Sequence, residues 1–185
     1  WLYLFLVPAI AMRLWAEERK SGSIELLMTL PITRTDAVLG KFLAAWVFAG
    51  IALLLTFPMI ITVNYLGEPD NGAIFTGYFG SWLLAGSYLA IGSCMSALAK
   101  NQVIAFILAV SACFLFIVSG FPMVLDALSW APQWLLDAVA SLSFLTRFDA
   151  ISKGVIDLRD LLYFISLMAA WLAATAIVVD LKKAD

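Results

Sequence analysis

The sequence contains no histidine, only two cysteines and very little charge. Charged residues make up 13% of the chain, about half of the share of about 25% that soluble domains carry. Hydrophobic residues make up 64%, and the mean hydropathy is +1.00. So few charges cannot cover a water-exposed surface, and so much apolar material excludes a solvated disordered chain. The composition therefore predicts a polytopic membrane protein.

The missing residue types also exclude several kinds of chemistry. Without histidine there is no Ser-His-Asp triad and no histidine-ligated metal site. Cys94 and Cys113 lie in apolar runs, where cysteines are typically buried small hydrophobic residues. The 11 basic residues form no dense patch, so we expect no nucleic-acid partner. The chain also has no phosphate-binding GxxxxGK[ST] loop, so any ATP that drives it must be hydrolysed by another polypeptide.

Charged and polar residues divide the chain into long apolar runs. Four runs are free of charge and have about the length that a helix needs to cross a membrane. They are 42–66, 73–99, 103–125 and 161–179. A fifth run, 1–12, would extend about 18 Å as a helix, which is short of the ~30 Å hydrocarbon core. We therefore predict four complete membrane helices and, over 1–12, the last part of a further one whose beginning precedes the first residue.

The charges also bear on orientation and on the energy source. The segments 13–41, 100–102 and 180–185 fall on one side of the membrane and hold eight of the eleven basic residues. By the positive-inside rule, this side is cytoplasmic. No acidic or basic residue lies inside a complete apolar run, which disfavours a proton-coupled carrier. No paired-carboxylate or Ser-Lys constellation for an intramembrane hydrolase is evident either.

The segment 13–41 is predicted to be a cytoplasmic loop with a short helix of its own. Its helix start is indicated by Ser21, Gly22 and Ser23. Apolar residues then recur at the spacing of one helix face until Pro31 stops the pattern. This pattern predicts an amphipathic helix over 23–30, and an interfacial helix that only anchors the loop is the alternative. Thr33 and Asp36 form a capping box that predicts the start of the next helix.

Three further features concern the membrane helices. Pro58 should kink the run 42–66 in its outer half. Small residues recur every fourth position in the run 73–99, which favours close helix packing, either within the chain or against a second subunit. The segment 126–148 is too apolar for open solvent and is interrupted by proline and charge, which predicts a re-entrant pair of half-helices on the outer side.

Several short motifs are spread over essentially the whole chain. They are Glu17-Glu18-Arg19-Lys20, Ser21-Gly22-Ser23, Glu25-Leu26-Leu27, Leu30-Pro31, Val38-Leu39-Gly40-Lys41-Phe42, Asn101-Gln102 and the run 148–160. Together these motifs resemble those of a known family, the permease subunits of type-2 ABC exporters, and within it the gliding-motility-associated branch. The resemblance implies an all-α polytopic permease fold with six membrane helices, of which the first and part of the second would be missing here.

The resemblance also implies the partners and the site. It implies a single permease domain over 1–185 in the bacterial inner membrane, paired with a second, identical or different, permease and with cytoplasmic ATP-binding subunits. ATP and magnesium would be bound by those subunits, so we expect no catalytic residue and no cofactor on this chain. The helix at 23–30 would be the coupling helix that fits a groove on the ATPase. The residues expected in this coupling site are Glu17, Glu18, Gly22, Ser23, Glu25, Leu26, Leu27, Leu30 and Pro31.

Within that site, Glu17, Glu18 and Glu25 are the expected polar contacts to the ATPase. Leu26, Leu27 and Leu30 would be divided between the membrane and the groove. The substrate stays open. The rival hypothesis is a membrane scaffold or regulator that anchors a cytoplasmic partner without transporting anything.

Overall fold

The computed structural model describes residues 1–23 and 33–181, and this part of the chain is built of helices joined by short turns. The predicted all-α membrane fold is confirmed. The helices are α1 (Leu2–Ala11), α2 (Arg13–Ser21), α3 (Arg34–Leu54), α4 (Phe57–Leu66), α5 (Asn71–Leu98), α6 (Gln102–Val118), α7 (Pro122–Ala127), α8 (Gln133–Ser141), α9 (Phe144–Ser152) and α10 (Leu158–Leu181).

Helix α5 is the centre of the fold. It packs against α1, α2, α3, α6, α9 and α10. In its most apolar stretch 78% of the residues are buried, against 6% in the apolar stretch of α3 and α4. A helix buried on all sides must be apolar or small all round, and α5 meets this requirement with a series of glycine, alanine and serine residues.

The small residues of α5 serve packing within the chain. A Cβ atom built on Gly92 would lie 2.4 Å from Cβ of Ala11, and one on Gly80 would lie 2.8 Å from Cγ2 of Ile151. Only a glycine allows α1 and α9 to approach α5 this closely. Gly77 faces open space, so at this position the predicted close packing has no partner within the described residues.

The predicted start of α3 is confirmed, and the kink predicted at Pro58 takes the form of an interruption between two helices. Thr33 caps α3 in a capping box with Asp36. The helix ends at Leu54, and after two intervening residues α4 begins at Phe57, with Pro58 in its first turn. Proline has no N–H to bond the carbonyl one turn earlier, so the helix is interrupted there. Since α3 begins at Arg34, eight residues before the uncharged run, its first turns carry charged residues.

The outer region differs in detail from the prediction. Helix α6 ends at Val118, seven residues before the end of the apolar run 103–125, because Ser119, Gly120 and Pro122 interrupt the helical pattern. Three short helices, α7 to α9, follow over 122–152 in place of two half-helices over 126–148. Their depth in a membrane, and hence the re-entrant character, stays a prediction.

Three stretches of the described chain are long and apolar enough to cross a membrane. They are 34–66, which joins α3 and α4, then α5 and α10. The fourth predicted membrane helix, α6, is apolar but has only 17 residues. Several charged residues that were predicted to lie outside the membrane helices are in the end turns of these helices. One of them, Asp160 in the first turn of α10, is buried.

Candidate coupling site

The structure describes four of the predicted site residues, all around the end of α2. Glu17 and Glu18 lie in the last turns of α2, and Gly22 and Ser23 follow it. Glu25, Leu26, Leu27, Leu30 and Pro31, and with them most of the predicted coupling helix, lie outside the described residues. The described part of the site consists of α2 and α3, the two helices that flank 24–32.

Gly22 ends α2. Its φ of 73° is in the left-handed region, which glycine adopts without steric cost and which is typical of the residue that follows a helix. The hydroxyl of Ser21 contacts that of Ser23 at 2.8 Å across this turn. Ser21 and Gly22, two of the three residues that we interpreted as a helix start, therefore end α2.

Two serines of α5 hold the N-terminal part of α2. The hydroxyl oxygen of Ser96 accepts hydrogen bonds from the backbone N–H groups of Trp15 (3.1 Å) and Ala16 (3.0 Å) and donates one to the carbonyl of Met12 (2.9 Å). The indole N–H of Trp15 donates to the hydroxyl of Ser93 at 3.1 Å. Trp15 is fully buried, so its N–H needs such a partner. Because α5 is the central helix, these bonds fix α2 to the core of the fold.

The C-terminal part of α2 is tied to both α5 and α3. The guanidinium of Arg19 donates to the carbonyl of Ala97 at 2.7 Å, near the end of α5. Lys41 of α3 forms an ion pair with Glu18, donates to the carbonyl of Leu14 at 2.7 Å and lies 4.4 Å from the centroid of the Trp15 ring. Lys41 therefore links α3 to α2.

This arrangement distinguishes the two predicted acidic contacts. Glu17 is exposed, as a residue that contacts a partner protein should be. Glu18 is half-buried and pairs with Lys41, and its Oε2 atom is buried without a hydrogen-bond partner. Glu18 thus has a role inside the chain, and its contact with an ATPase stays a prediction.

A further ion pair closes this end of the molecule. Arg34, at the start of α3, pairs with Asp180, at the end of α10, and both side chains are about half exposed. The segments that the basic residues assign to the cytoplasmic side therefore meet at one end of the fold. Trp15 and Ser93 carry no signal in the sequence pattern that would place them at this contact. Lys41 belongs to the family motif 38–42, and small residues recur every fourth position at Gly92 and Ser96, which was the available indication of close packing here.

The long apolar helices packed around a small-residue central helix define a polytopic helical membrane domain. The profile of the ABC-2 family transporter protein matches residues 4–182, and the chain belongs to this family.

Two relatives support the assignment. The chain is 33% identical over 115 residues to the probable multidrug ABC transporter permease YbhS of Escherichia coli strain K12. The aligned region covers 61% of this chain and 30% of that protein. It is 34% identical over 103 residues to the probable ABC transporter permease protein NosY of Pseudomonas aeruginosa, which covers 53% of this chain and 37% of that protein. The chain thus spans about a third of the length of the relatives that it matches.

Proposed function

We propose that the chain is the membrane-spanning permease subunit of an ATP-driven ABC transporter and that the segment 24–32 receives the movement of a separate ATPase. The observation that carries this proposal is the unequal attachment of the two helices flanking the segment. Helix α2 is bonded to the central helix α5 through Ser93 and Ser96, whereas the end of α3 next to the segment is held by the side chain of Lys41 and by the half-exposed Arg34–Asp180 pair. A force that the ATPase exerts on 24–32 would therefore displace the adjacent end of α3 more readily than α2.

In the proposed mechanism, the ATPase subunits close when they bind ATP, and this closure moves the segment 24–32. Helix α3 tilts against the core formed by α1, α2 and α5, and this tilt opens a path at the contact with a second permease. All energy comes from ATP binding and hydrolysis on the ATPase, which also holds the magnesium ion, so no residue of this chain acts as a catalyst and no cofactor is held here. The family membership and the permease names of the relatives support this division of roles.

The finer assignments are also proposals. We place the protein in the bacterial inner membrane, with the end that carries the Arg34–Asp180 pair in the cytoplasm. We assign it to the gliding-motility-associated branch on the run 154–160, Gly-Val-Ile-Asp-Leu-Arg-Asp. The second permease is an identical or a related chain.

The test is a charge reversal at the predicted coupling helix. In the full-length permease, Glu25→Lys should weaken co-purification of the partner ATPase and reduce ATP hydrolysis by the complex. The matched control is Glu68→Lys, which reverses an exposed glutamate in the turn between α4 and α5, on the opposite side of the membrane, and should change neither. Unchanged association and hydrolysis in Glu25→Lys would overturn the coupling role.

The scaffold hypothesis predicts a different result for the same complex. A scaffold would bind its cytoplasmic partner, but hydrolysis by that partner would not depend on the permease. Hydrolysis that rises when the permease is reconstituted with the ATPase would therefore exclude the scaffold.

A further inference from the structure

Two tryptophans clamp α3 to α5 near the middle of both helices. The rings of Trp46 and Trp82 are stacked, with centroids 4.3 Å apart and planes inclined by 10°. The indole N–H of Trp46 donates to the backbone carbonyl of Trp82 at 2.9 Å, and that of Trp82 donates to the carbonyl of Trp46 at 3.2 Å. The contact is thus reciprocal, and each tryptophan both donates and accepts.

Each tryptophan is followed four residues later by the glycine that makes room for the other ring. A Cβ atom on Gly50 would lie 2.8 Å from Nε1 of Trp82, and one on Gly86 would lie 2.7 Å from Nε1 of Trp46. The sequence carries the same pattern twice, as WVFAG at 46–50 and WLLAG at 82–86. We call Trp46, Gly50, Trp82 and Gly86 the clamp. It has approximate two-fold symmetry, and its contacts fix the position of α3 along α5 and its rotation about its own axis.

The two halves of α3 on either side of the clamp border open space. Towards the predicted cytoplasmic end, residues 35–46 of α3 and residues 165–176 of α10 line an apolar groove of about 510 Å³. Towards the outer end, residues 47–54 of α3 and residues 78–82 of α5 line a second groove of about 370 Å³. Within the described chain, α3 is therefore clamped at its middle and has unfilled apolar space beside each half, while Lys41 and the half-exposed Arg34–Asp180 pair hold its first turns.

We propose that the clamp is the pivot about which α3 rocks when the segment 24–32 is displaced. This inference rests on the proposed function. Sliding or rotating α3 would break both indole hydrogen bonds in an environment without water to replace them, which is unfavourable. Rocking preserves them, because atoms at the pivot hardly move. Arg34 lies about 18 Å from Trp46 along the helix, so a tilt of 10° would displace it by about 3 Å. The long side chain of Lys41 can follow a displacement of this size.

The pivot predicts opposite effects of cross-links at the middle and at the end of α3. The experiment uses the full-length permease with Cys94 and Cys113 replaced by alanine, reconstituted with its ATPase, and a flexible, reducible bifunctional thiol reagent. The end pair is Leu39→Cys with Ala173→Cys, on the two walls of the larger groove. The middle pair is Trp46→Cys with Trp82→Cys, which removes the clamp and lets the reagent replace it by a covalent link.

Cross-linking the end pair should lower ATP hydrolysis about tenfold, and reduction should restore it, because the link stops the rocking. Cross-linking the middle pair should raise hydrolysis towards the wild-type value, since the link restores the pivot. Equal inhibition by both links, or no effect of the end link, would overturn the pivot. A complex whose cysteine-free permease does not stimulate hydrolysis at all would instead contradict the proposed function.

Discussion

Arg147 in α9 donates a hydrogen bond of 2.7 Å to the carboxylate of Asp160 in the first turn of α10. The same guanidinium lies 4.4 Å from the ring centroid of Tyr163, whose hydroxyl donates to the carbonyl of Leu142 at 2.5 Å. Both charged side chains are largely buried. These contacts attach α8 and α9, which are predicted to lie on the outer side, to the last membrane helix.

We expect Arg147→Met to destabilise the protein by about 2 kcal/mol, because it leaves the buried carboxylate of Asp160 without a partner. The double variant with Asp160→Leu should recover most of this loss. The matched control is Lys153→Met, which removes the exposed ion pair with Asp149 in the same helix and should cost less than about 0.5 kcal/mol. Unfolding in detergent measures all three, and equal losses in Arg147→Met and Lys153→Met would contradict the importance of the buried pair.

The hydroxyl of Ser96 should hold α2 on α5. Ser96→Ala leaves the N–H groups of Trp15 and Ala16 without their acceptor, so hydrogen exchange at these two amides should become about tenfold faster. Ser87→Ala is the control, because the hydroxyl of this equally buried serine only donates to the carbonyl of Leu83 within α5. If exchange in α2 is the same in both variants, the serine does not anchor the helix.

The close contact between α1 and α5 should tolerate no added methyl group at Gly92. Gly92→Ala would bring the new Cβ within 2.4 Å of Ala11, so we expect a loss of stability of about 1–3 kcal/mol. Adding Ala11→Gly should restore much of it. Gly77→Ala, in the same helix but facing open space, should be neutral or slightly stabilising. Thermal unfolding of the purified permease measures these differences, and a stable Gly92→Ala variant would show that the two helices are not in close contact.

The predicted orientation has its own test. A cysteine at Asn71 should react with a membrane-impermeant thiol reagent added outside intact cells, and a cysteine at Lys100 should react only after the cells are opened. Both positions are exposed, and the native thiols Cys94 and Cys113 are buried, so they add little background. The reverse pattern of labelling would overturn the cytoplasmic assignment of the Arg34–Asp180 end.

Local features of the sequence predicted local features of the structure. The Thr33–Asp36 capping box and the break before Pro58 depend on neighbouring residues alone, and both are present. The end of α6 at Val118 was not foreseen, because the hydrophobicity of the run 103–125 continues past the Ser119-Gly120 pair that stops the helix. Apolarity predicts that a segment is in a membrane, whereas backbone preferences decide where its helix ends.

Composition and charge distribution determined by themselves that this is a helical membrane protein, and the motifs around 13–31 indicated its family. Only the tertiary structure decided which side chains work together. Trp46 and Trp82 are 36 positions apart, and Trp15 and Ser96 are 81 apart. Helix periodicity predicts which residues share one face of a helix. It does not predict which other helix packs against that face. That choice is made when α1, α3 and α10 pack around α5, where the glycines permit close approach and buried N–H groups must find acceptors.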